Sequence, residues 1–409
     1  MDALTAAAAA ARDWHGRLLA LLASGSGDIP AAEDALADAY EAAVRTWPER
    51  GVPGNPGGWL LTVARNRLRD RWRAAEVRRT VALDVERDAP AHLDDVDVDA
   101  VPDRRLELML VCAHPAIDRT MHTPLMLNTV LGFTAEQIGR AFSVPATTMA
   151  TRLVRVKKRI RTTGIPFRIP DRDGLPPRMA AVLEGVYGAY VIDRTEAEAL
   201  HLAGVLAELA PDDPEVHGLA ALVQLSAARA AARTGADGRF VPLGEQDPAR
   251  WDRGLIARAH EHLRVAHGLG RLGRFQVEAA IQALHCSGAA DARTLLDLHL
   301  ILHDLAPSLG GGVALAAVTA EAEGAAAGLA LLDDLLAGAG EAGERFQPAR
   351  ATRAHLLDRL GRSAEATAEY DLAIALTRDD AEREHLRDRR VVGGSGHAAG
   401  NREGADRSA

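Results

Sequence analysis

Two short stretches of the sequence concentrate arginine and lysine, the side chains that bind phosphate groups. Residues 65–79 hold seven arginines against two acids, and residues 152–168 hold seven bases and no acid. Cationic side chains gathered on one face of a helix attract the backbone of nucleic acids. A basic run is also typical of an ordinary solvated helix face, so the elements that carry these stretches decide between the two interpretations.

The second stretch lies in a predicted helix-turn-helix. Thr134, with Glu136 and Gln137 behind it, predicts a capped helix start, and Pro145 separates this helix from a second one that begins near Ala146. One face of the second helix is apolar, formed by Met149, Leu153, Val156 and Ile160. The remaining arc carries hydroxyls first and bases later, as major-groove reading requires: Thr148, Thr151, Arg152, Arg155, Lys158 and Arg159. An ordinary helical hairpin with a basic exposed side is the alternative.

The first stretch follows an acidic helix and a glycine- and proline-rich loop. Residues 32–48 predict the acidic helix, which ends at Trp47-Pro48, and residues 55–73 predict a basic one. The basic helix has an apolar stripe at helical spacing, formed by Leu61, Ala64, Leu68 and Trp72. The pair therefore offers one surface to a protein partner and another to unpaired bases, which stack on aromatic and arginine side chains.

The composition predicts a helical chain of two or three domains. Of 409 residues, 47% are hydrophobic but only 4% aromatic, and alanine and leucine, both good helix formers, are abundant. The net charge of −9 is unevenly distributed, because residues 1–168 carry +2 and residues 169–409 carry −11. Two local anion-binding surfaces are therefore compatible with a negative total.

Two breaks divide the chain. Eight acids and one internal base, Arg87, lie between Asp84 and Asp103, which predicts an acidic flexible linker. Prolines then crowd residues 166–177 too closely for a helix to continue. The predicted domains are residues 1–83, the linker 84–103, residues 104–168, residues 178–390 and a disordered tail over 391–409.

The C-terminal half predicts a stack of helical repeats. The clearest unit spans residues 351–376, where Leu360, Gly361 and Arg362 mark the turn between two helices of tetratricopeptide-like spacing. Stacked pairs of this kind leave a concave face suited to a peptide or a partner helix. A purely structural solenoid is the alternative interpretation.

Several classes of protein are excluded by what the sequence lacks. Two cysteines, Cys112 and Cys286, exclude a disulfide-rich secreted scaffold and a four-cysteine zinc site, and favour a reducing compartment. No window approaches the roughly 18 uninterrupted apolar residues of a membrane span. No arrangement of nucleophile, base and acid rises above chance. We therefore expect a cytoplasmic protein with no catalytic residues, no metal, no cofactor and no membrane partner.

Three motifs follow one another along the chain. They are E-D-A-L-x-D-A-Y at Glu33 to Tyr40, W-L-x-x-V-A-R-N-x-x-x-D-R-W-R at Trp59 to Arg73, and the helix-turn-helix of 134–161. Together they resemble regions 2 and 4 of extracytoplasmic-function sigma factors of the sigma-70 family, and the helical extension resembles the subgroup with a tetratricopeptide-like domain. The implied fold is all-α: a region 2 bundle and a region 4 helix-turn-helix, joined by the acidic linker and followed by helical repeats.

The resemblance implies a bacterial initiation factor that binds core RNA polymerase and directs it to promoter DNA. The acids that would meet the polymerase are Glu33, Asp34 and Asp38. The residues that would hold the melted −10 element are Asn55, Trp59, Thr62, Arg65, Asn66 and Arg67. The residues that would read the −35 element are Thr147, Thr148, Thr151, Arg152, Arg155 and Lys158. The helical extension would modulate activity through a protein or peptide partner.

Two other functions are compatible with the same residues. In the first, the helix-turn-helix binds DNA but the chain no longer docks on polymerase, which makes it a DNA-binding regulator of another kind. In the second, the helical repeats alone act as a protein-interaction scaffold and both basic stretches are idle.

Overall fold

The computed structural model describes residues 2–79, 103–142, 144–170, 174–193, 196–235, 237–288, 291–377 and 379–390. Helices dominate these ranges, and the β-type pairing in them is a one-residue bridge between Thr234 and Phe240. The predicted all-α class is therefore confirmed. The predicted linker, apart from Asp103, and the predicted tail over 391–409 lie outside the described residues.

The chain divides into two compact units, Met1–Val205 and Leu206–Ala409. The helices of the first unit are α1 (Ala3–Ser26), α2 (Ile29–Arg50), α3 (Pro56–Arg79), α4 (Arg105–Cys112), α5 (His122–Thr129), α6 (Ala135–Ala141), α7 (Ala146–Thr163) and α8 (Pro176–Asp193). Helix α9 (Glu196–Leu209) crosses the boundary between the units.

Helices α1 to α3 form a three-helix module around a leucine- and alanine-rich core. Gly27 ends α1 in the left-handed conformation, and the Asp28 carboxylate accepts the Ala31 amide at the start of α2. The largest buried side chains include Leu18, Leu36, Trp47, Leu60 and Leu61. Helix α2 runs through Pro48 to Arg50 and therefore extends beyond the end expected at Trp47-Pro48. In the last turn a proline removes a single intrahelical hydrogen bond, and the helix tolerates that loss.

Helices α6 and α7 reproduce the predicted helix, turn and helix. Thr134 and Gln137 form a reciprocal capping box at the start of α6. In α7 the predicted apolar face is turned inward, with Met149, Leu153 and Ile160 buried. Gly164 ends the helix in the left-handed conformation.

Helix α8 belongs to the first unit, although the proline-rich break predicted a domain boundary before it. It packs on α5 through two glycines whose missing side chains permit close approach. A Cβ at Gly185 would lie 2.7 Å from the sulfur of Met126, and one at Gly188 would lie 3.2 Å from Leu127. The division into two compact units falls at Val205, after this packing.

The second unit continues with stacked helices. They are α10 (Pro214–Ala227), α11 (Arg253–Gly268), α12 (Arg274–Ser287), α13 (Ala292–Leu305), α14 (Leu309–Glu323), α15 (Ala325–Ala339), α16 (Glu341–Glu344), α17 (Gln347–Arg359), α18 (Ser363–Leu376) and α19 (380–390). Sequential neighbours pack on each other: α13 on α14, α14 on α15 and α17 on α18.

The clearest predicted repeat coincides with α17 and α18. The turn between them contains Gly361 in the left-handed region, at φ 73°. Ala366, Tyr370 and Ala373 of α18 are buried. Beneath them the half-buried Arg353 donates to Glu369 and Asp333, both at 2.8 Å, and so joins three helices. Charge pairing as well as apolar contact therefore fixes the stack.

Two glycines of α1 allow a matched test of packing between α1 and the end of α5. Gly16 lies directly against the carbonyl group of Val130, whereas a Cβ at Gly25 would meet nothing within 4 Å. We expect Gly16→Ala to lower the free energy of unfolding by about 2 kcal/mol, because the added methyl overpacks the contact. Gly25→Ala should leave it unchanged or raise it by about 0.5–1 kcal/mol.

Urea unfolding followed by tryptophan fluorescence measures both variants, since four of the five tryptophans belong to the first unit. Equal effects of the two substitutions would contradict the close packing of Gly16.

Candidate functional site

The acidic face of α2 is engaged by bases of the same chain. Arg71 of α3 donates to Asp34 at 2.9 Å and to Asp38 at 3.2 Å. Both acids keep solvent-exposed surface, and Arg71 is itself exposed, so the fork is a surface ion pair of modest energy. The structure therefore places two of the three expected polymerase-binding acids together, on the part of α2 that contacts Arg71 of α3.

Glu33, the third acid, lies apart from them in a buried contact with α7. Its carboxylate accepts a hydrogen bond from the ammonium group of Lys157, which also donates to the Asn128 side-chain oxygen at 2.6 Å. Lys157 is only 9% exposed. Burial raises the pKa of Glu33, and the nearby Lys157 charge partly opposes this increase.

The burial of Lys157 was not predicted from the sequence, in which Lys157 counted only as one of the seven bases of residues 152–168. A signal for it was present, because Lys157 stands four residues after Leu153 and three before Ile160, on the apolar face of the helix. A base on such a face needs a buried partner, and the sequence alone did not identify Glu33 as that partner.

His15 of α1 borders the same buried contact. Its ring packs against Gly132, where an added Cβ would lie 3.2 Å from the His15 ring. The ring also stacks on Tyr40, with ring centroids 6.5 Å apart. Burial lowers the pKa of His15 to about 4, and the positive charge of Lys157 acts in the same direction. Burial also raises the pKa of Tyr40. The packing between α1, α2 and α7 thus holds its histidine neutral.

The residues expected at the −10 element divide into structural and exposed groups. Asn55 caps α3, since its side-chain oxygen accepts the Gly58 amide at 2.8 Å. The Thr62 hydroxyl donates back to the Gly58 carbonyl at 2.9 Å, and Trp59 packs edge-on against Trp47. Arg65 and Arg67 are exposed, and Asn66 is half-buried and accepts from Arg69 at 3.3 Å.

Trp72 departs from the expectation for the apolar stripe of α3. Leu61, Ala64 and Leu68 are buried as predicted, whereas Trp72 is 49% exposed. Arg71 and Arg73 beside it are exposed too. Helix α3 therefore presents an accessible aromatic ring at Trp72 together with exposed arginines, a combination that suits stacking on bases.

The residues expected at the −35 element share one exposed face of α7. All six are solvent-exposed: Thr147, Thr148, Thr151, Arg152, Arg155 and Lys158. The Thr151 hydroxyl is occupied locally, donating to the Thr147 carbonyl at 2.9 Å. The structure thus brings this set together, and it keeps the set apart from the buried Lys157 on the opposite side of the helix.

A groove of about 1090 Å³ runs between this face and the segment before α5. Its cationic wall is formed by Arg152, Arg155, Lys158 and Arg159, and Ile117 and Asp118 lie on the other wall. The Asp118 carboxylate accepts from the Thr120 amide and hydroxyl, and these hydrogen bonds lower its pKa. The groove is open to solvent and strongly basic, so it suits an extended anion such as a phosphodiester backbone.

Within the described ranges, no cluster of three or more histidine, cysteine, aspartate or glutamate side chains has the geometry of a metal site. Among the helices of those ranges, none combines the length and the apolar character needed to cross a bilayer.

Comparisons with known proteins agree with the N-terminal geometry. Residues 11–78 match the family described as sigma-70 region 2, and residues 178–267 match a family of unknown function, DUF6596. An uncharacterized protein of Rhizobium meliloti (strain 1021) is 33% identical over 384 residues, covering 88% of this chain and 89% of that protein. No solved structure matches the chain.

The match over residues 11–78, which correspond to helices α1 to α3, identifies a sigma-70 region 2 module and supports a sigma-70 family factor. The chain belongs to the same family as the Rhizobium meliloti protein, with a sigma-70 region 2 as its N-terminal module. Region 2 implies binding to the core of RNA polymerase.

The cap at Asn55 leads to a matched pair of variants. Asn55→Ala removes the oxygen that accepts the Gly58 amide, and we expect the free energy of unfolding to fall by about 1 kcal/mol. Asn55→Ser supplies a hydroxyl oxygen in its place and should stay within about 0.5 kcal/mol of the parent. Urea unfolding measures both, and an Asn55→Ala variant as stable as the parent would show that the cap contributes nothing.

The buried His15 predicts a pH dependence of stability. Its pKa is about 4 in the folded chain and ordinarily 6.5, so between these values the unfolded chain binds a proton that the folded chain does not. The free energy of unfolding therefore falls as the pH is lowered from 7.5 to 5, by about 2 kcal/mol from this group.

The comparison of parent and His15→Gln isolates that contribution, because the other histidines titrate in both proteins. Urea unfolding at the two pH values should show a smaller pH dependence for the variant. The same pH dependence in both would contradict the assignment to His15.

Proposed function

We propose that the protein is a sigma factor of the extracytoplasmic-function type, which directs core RNA polymerase to specific promoters and initiates transcription. The observation that carries the proposal is the pairing of a sigma-70 region 2 module with a second helical pair, α6 and α7, whose exposed face is basic. A promoter has two elements to be bound, and the chain carries two modules suited to different forms of DNA.

The division of work between the modules follows from their surfaces. Helix α3 exposes Arg65, Arg67 and the Trp72 ring, which suit the stacking and phosphate contacts of melted single strands. Helix α7 is long enough to lie in a major groove and exposes threonines at its start and bases further on. Under the proposal, α3 holds the −10 element and α7 reads the −35 element.

The acids of α2 are the surface that we assign to the polymerase. Asp34 and Asp38 stand one helical turn apart and are accessible, while Arg71 engages them on one side. A basic surface on the polymerase could replace Arg71 at little cost, because an exposed ion pair contributes about 0–1 kcal/mol.

The C-terminal helices are proposed to form a tetratricopeptide-like regulatory domain. Support comes from the stacked pairs α13 to α15 and α17 to α18, and from the left-handed Gly361 at the expected turn. Such stacks bind peptides or helices on an extended surface. We assign the domain the role of modulating transcription through a protein or peptide partner.

The decisive experiment is run-off transcription with purified core polymerase and promoters of the native genome. Arg152→Ala should lower use of the preferred promoter about 5–150-fold, which corresponds to 1–3 kcal/mol for a lost contact to a base edge. Arg345→Ala, at a 76% exposed arginine side chain of the second unit, is the control and should leave promoter use unchanged.

Three other outcomes decide against parts of the proposal. An equal loss on unrelated duplex sequences would assign Arg152 to phosphate rather than to base reading. DNA binding without co-purification of core polymerase would favour a DNA-binding regulator of another kind. No promoter-dependent transcript together with salt-insensitive behaviour and no DNA retention would leave only a helical scaffold.

A further inference from the structure

The acidic helix that the proposed function assigns to polymerase is covered in part by α7. Lys157 reaches Glu33 in the interior of this contact, and Arg161 lies 3.4 Å from Asp28 at its exposed margin. The contact is therefore made by two bases of α7 on two acids at the start of α2. These bases supply the kind of charge that a polymerase surface has to supply to bind the same acids.

Further packing holds the two modules in this arrangement. Gly16 of α1 lies against the Val130 carbonyl, which a side chain at that position would obstruct, and α1 also packs on α4. His15 lies beside Gly132 in the same seam. The seam thus joins α1 and α2 of the region 2 module to α4, α5 and α7.

The packed state covers part of the surface assigned to polymerase and leaves the surface assigned to DNA accessible. Thr148, Arg152 and Arg155 on the outer face of α7 are exposed, so the DNA-facing side of the helix is open. Glu33, in contrast, is half-buried and bonded to Lys157. The packing thus covers Glu33, one of the three acids assigned to polymerase, while Asp34 and Asp38 beside it stay accessible.

The buried pair is a conditional contact. Removing a carboxylate and an ammonium group from water costs free energy, which is recovered only while each has the other as its partner. Asn128 completes the arrangement by accepting a second hydrogen bond from Lys157 at 2.6 Å. If a partner protein offers Glu33 another base, Lys157 loses its carboxylate partner. The buried ammonium group then has no opposite charge to offset the cost of its burial.

We propose that the packing of α7 on α2 is an autoinhibited state, in which Lys157 occupies Glu33 and excludes core RNA polymerase from the acidic helix. Polymerase docking and the Lys157–Glu33 pair are mutually exclusive, so docking separates the two modules. This inference rests on the proposed function, because it takes Glu33 as part of the polymerase-binding surface.

The first test measures binding of the full chain to purified core polymerase in the absence of DNA. Lys157→Glu places two acids in the seam and Lys157→Met leaves Glu33 without its base, so both variants favour the open state. Both should bind about tenfold more tightly or better, the gain expected when the open state had been a tenth of the molecules or less. Arg140→Glu, an exposed base on α6, makes the same charge change as Lys157→Glu outside the seam and should bind as the parent does.

The second test locks the packed state. Asp28→Cys combined with Arg161→Cys places two thiols at the exposed margin of the seam, where the parent side chains lie 3.4 Å apart, while both native cysteines are buried. A short cleavable bis-maleimide crosslink should abolish binding to core polymerase, and cleavage of the crosslink should restore it. The uncrosslinked double variant is the reference, so any effect of the substitutions themselves is subtracted.

The outcomes separate this inference from the proposed function. If the parent and both Lys157 variants bind polymerase equally and the crosslinked chain binds as well, the autoinhibited state is overturned while the sigma-factor function stands. If neither parent nor any variant binds polymerase, both are overturned. Tighter binding by the Lys157 variants together with loss of binding in the crosslinked chain supports both.

Discussion

The buried pair between Lys157 and Glu33 is the interaction on which the arrangement of the N-terminal unit depends. Glu33 belongs to α2 and Lys157 to α7, so this ion pair connects two residues separated by 124 positions in the sequence. Asn128 on α5 accepts from the same ammonium group and brings a third helix to the contact. Charges can be buried in this way only when the geometry satisfies both partners, so the pair specifies how the surrounding helices pack.

The neighbouring features are consistent with this constraint. Gly16 has no side chain where α1 meets the Val130 carbonyl, which allows α1 to approach the end of α5 closely. His15 is kept neutral beside it, because burial and the Lys157 charge both lower its pKa. Tyr40 covers His15 from the α2 side. A neutral ring in that place avoids a second positive charge next to the ammonium group.

Local features of the fold were predictable from the sequence. The capping box at Thr134 and Gln137, the start of α7 at Ala146 and its buried stripe all depend on residues within one or two turns of each other. Contacts between distant segments were not predictable in the same way. Lys157 has apolar-face spacing, but its partner lies on another helix, and Trp72 shares the spacing of a buried stripe and is nevertheless exposed.

In the candidate site, too, exposed positions could be predicted from the sequence, whereas contacts with distant residues could not. Exposed positions on α7 followed from helical spacing, since the arc opposite a buried stripe faces solvent. The acids of α2 look alike in the sequence, yet the fold gives Glu33 a buried partner and leaves Asp34 and Asp38 accessible to an exchangeable one. If the packed state is autoinhibited, its control acts on access to polymerase rather than on access to DNA, because the basic groove stays open in that state. Burial as well as sequence position therefore divides the charges of α7: Lys157 and Arg161 pair with acids at the start of α2, whereas Arg152, Arg155, Lys158 and Arg159 line the open groove.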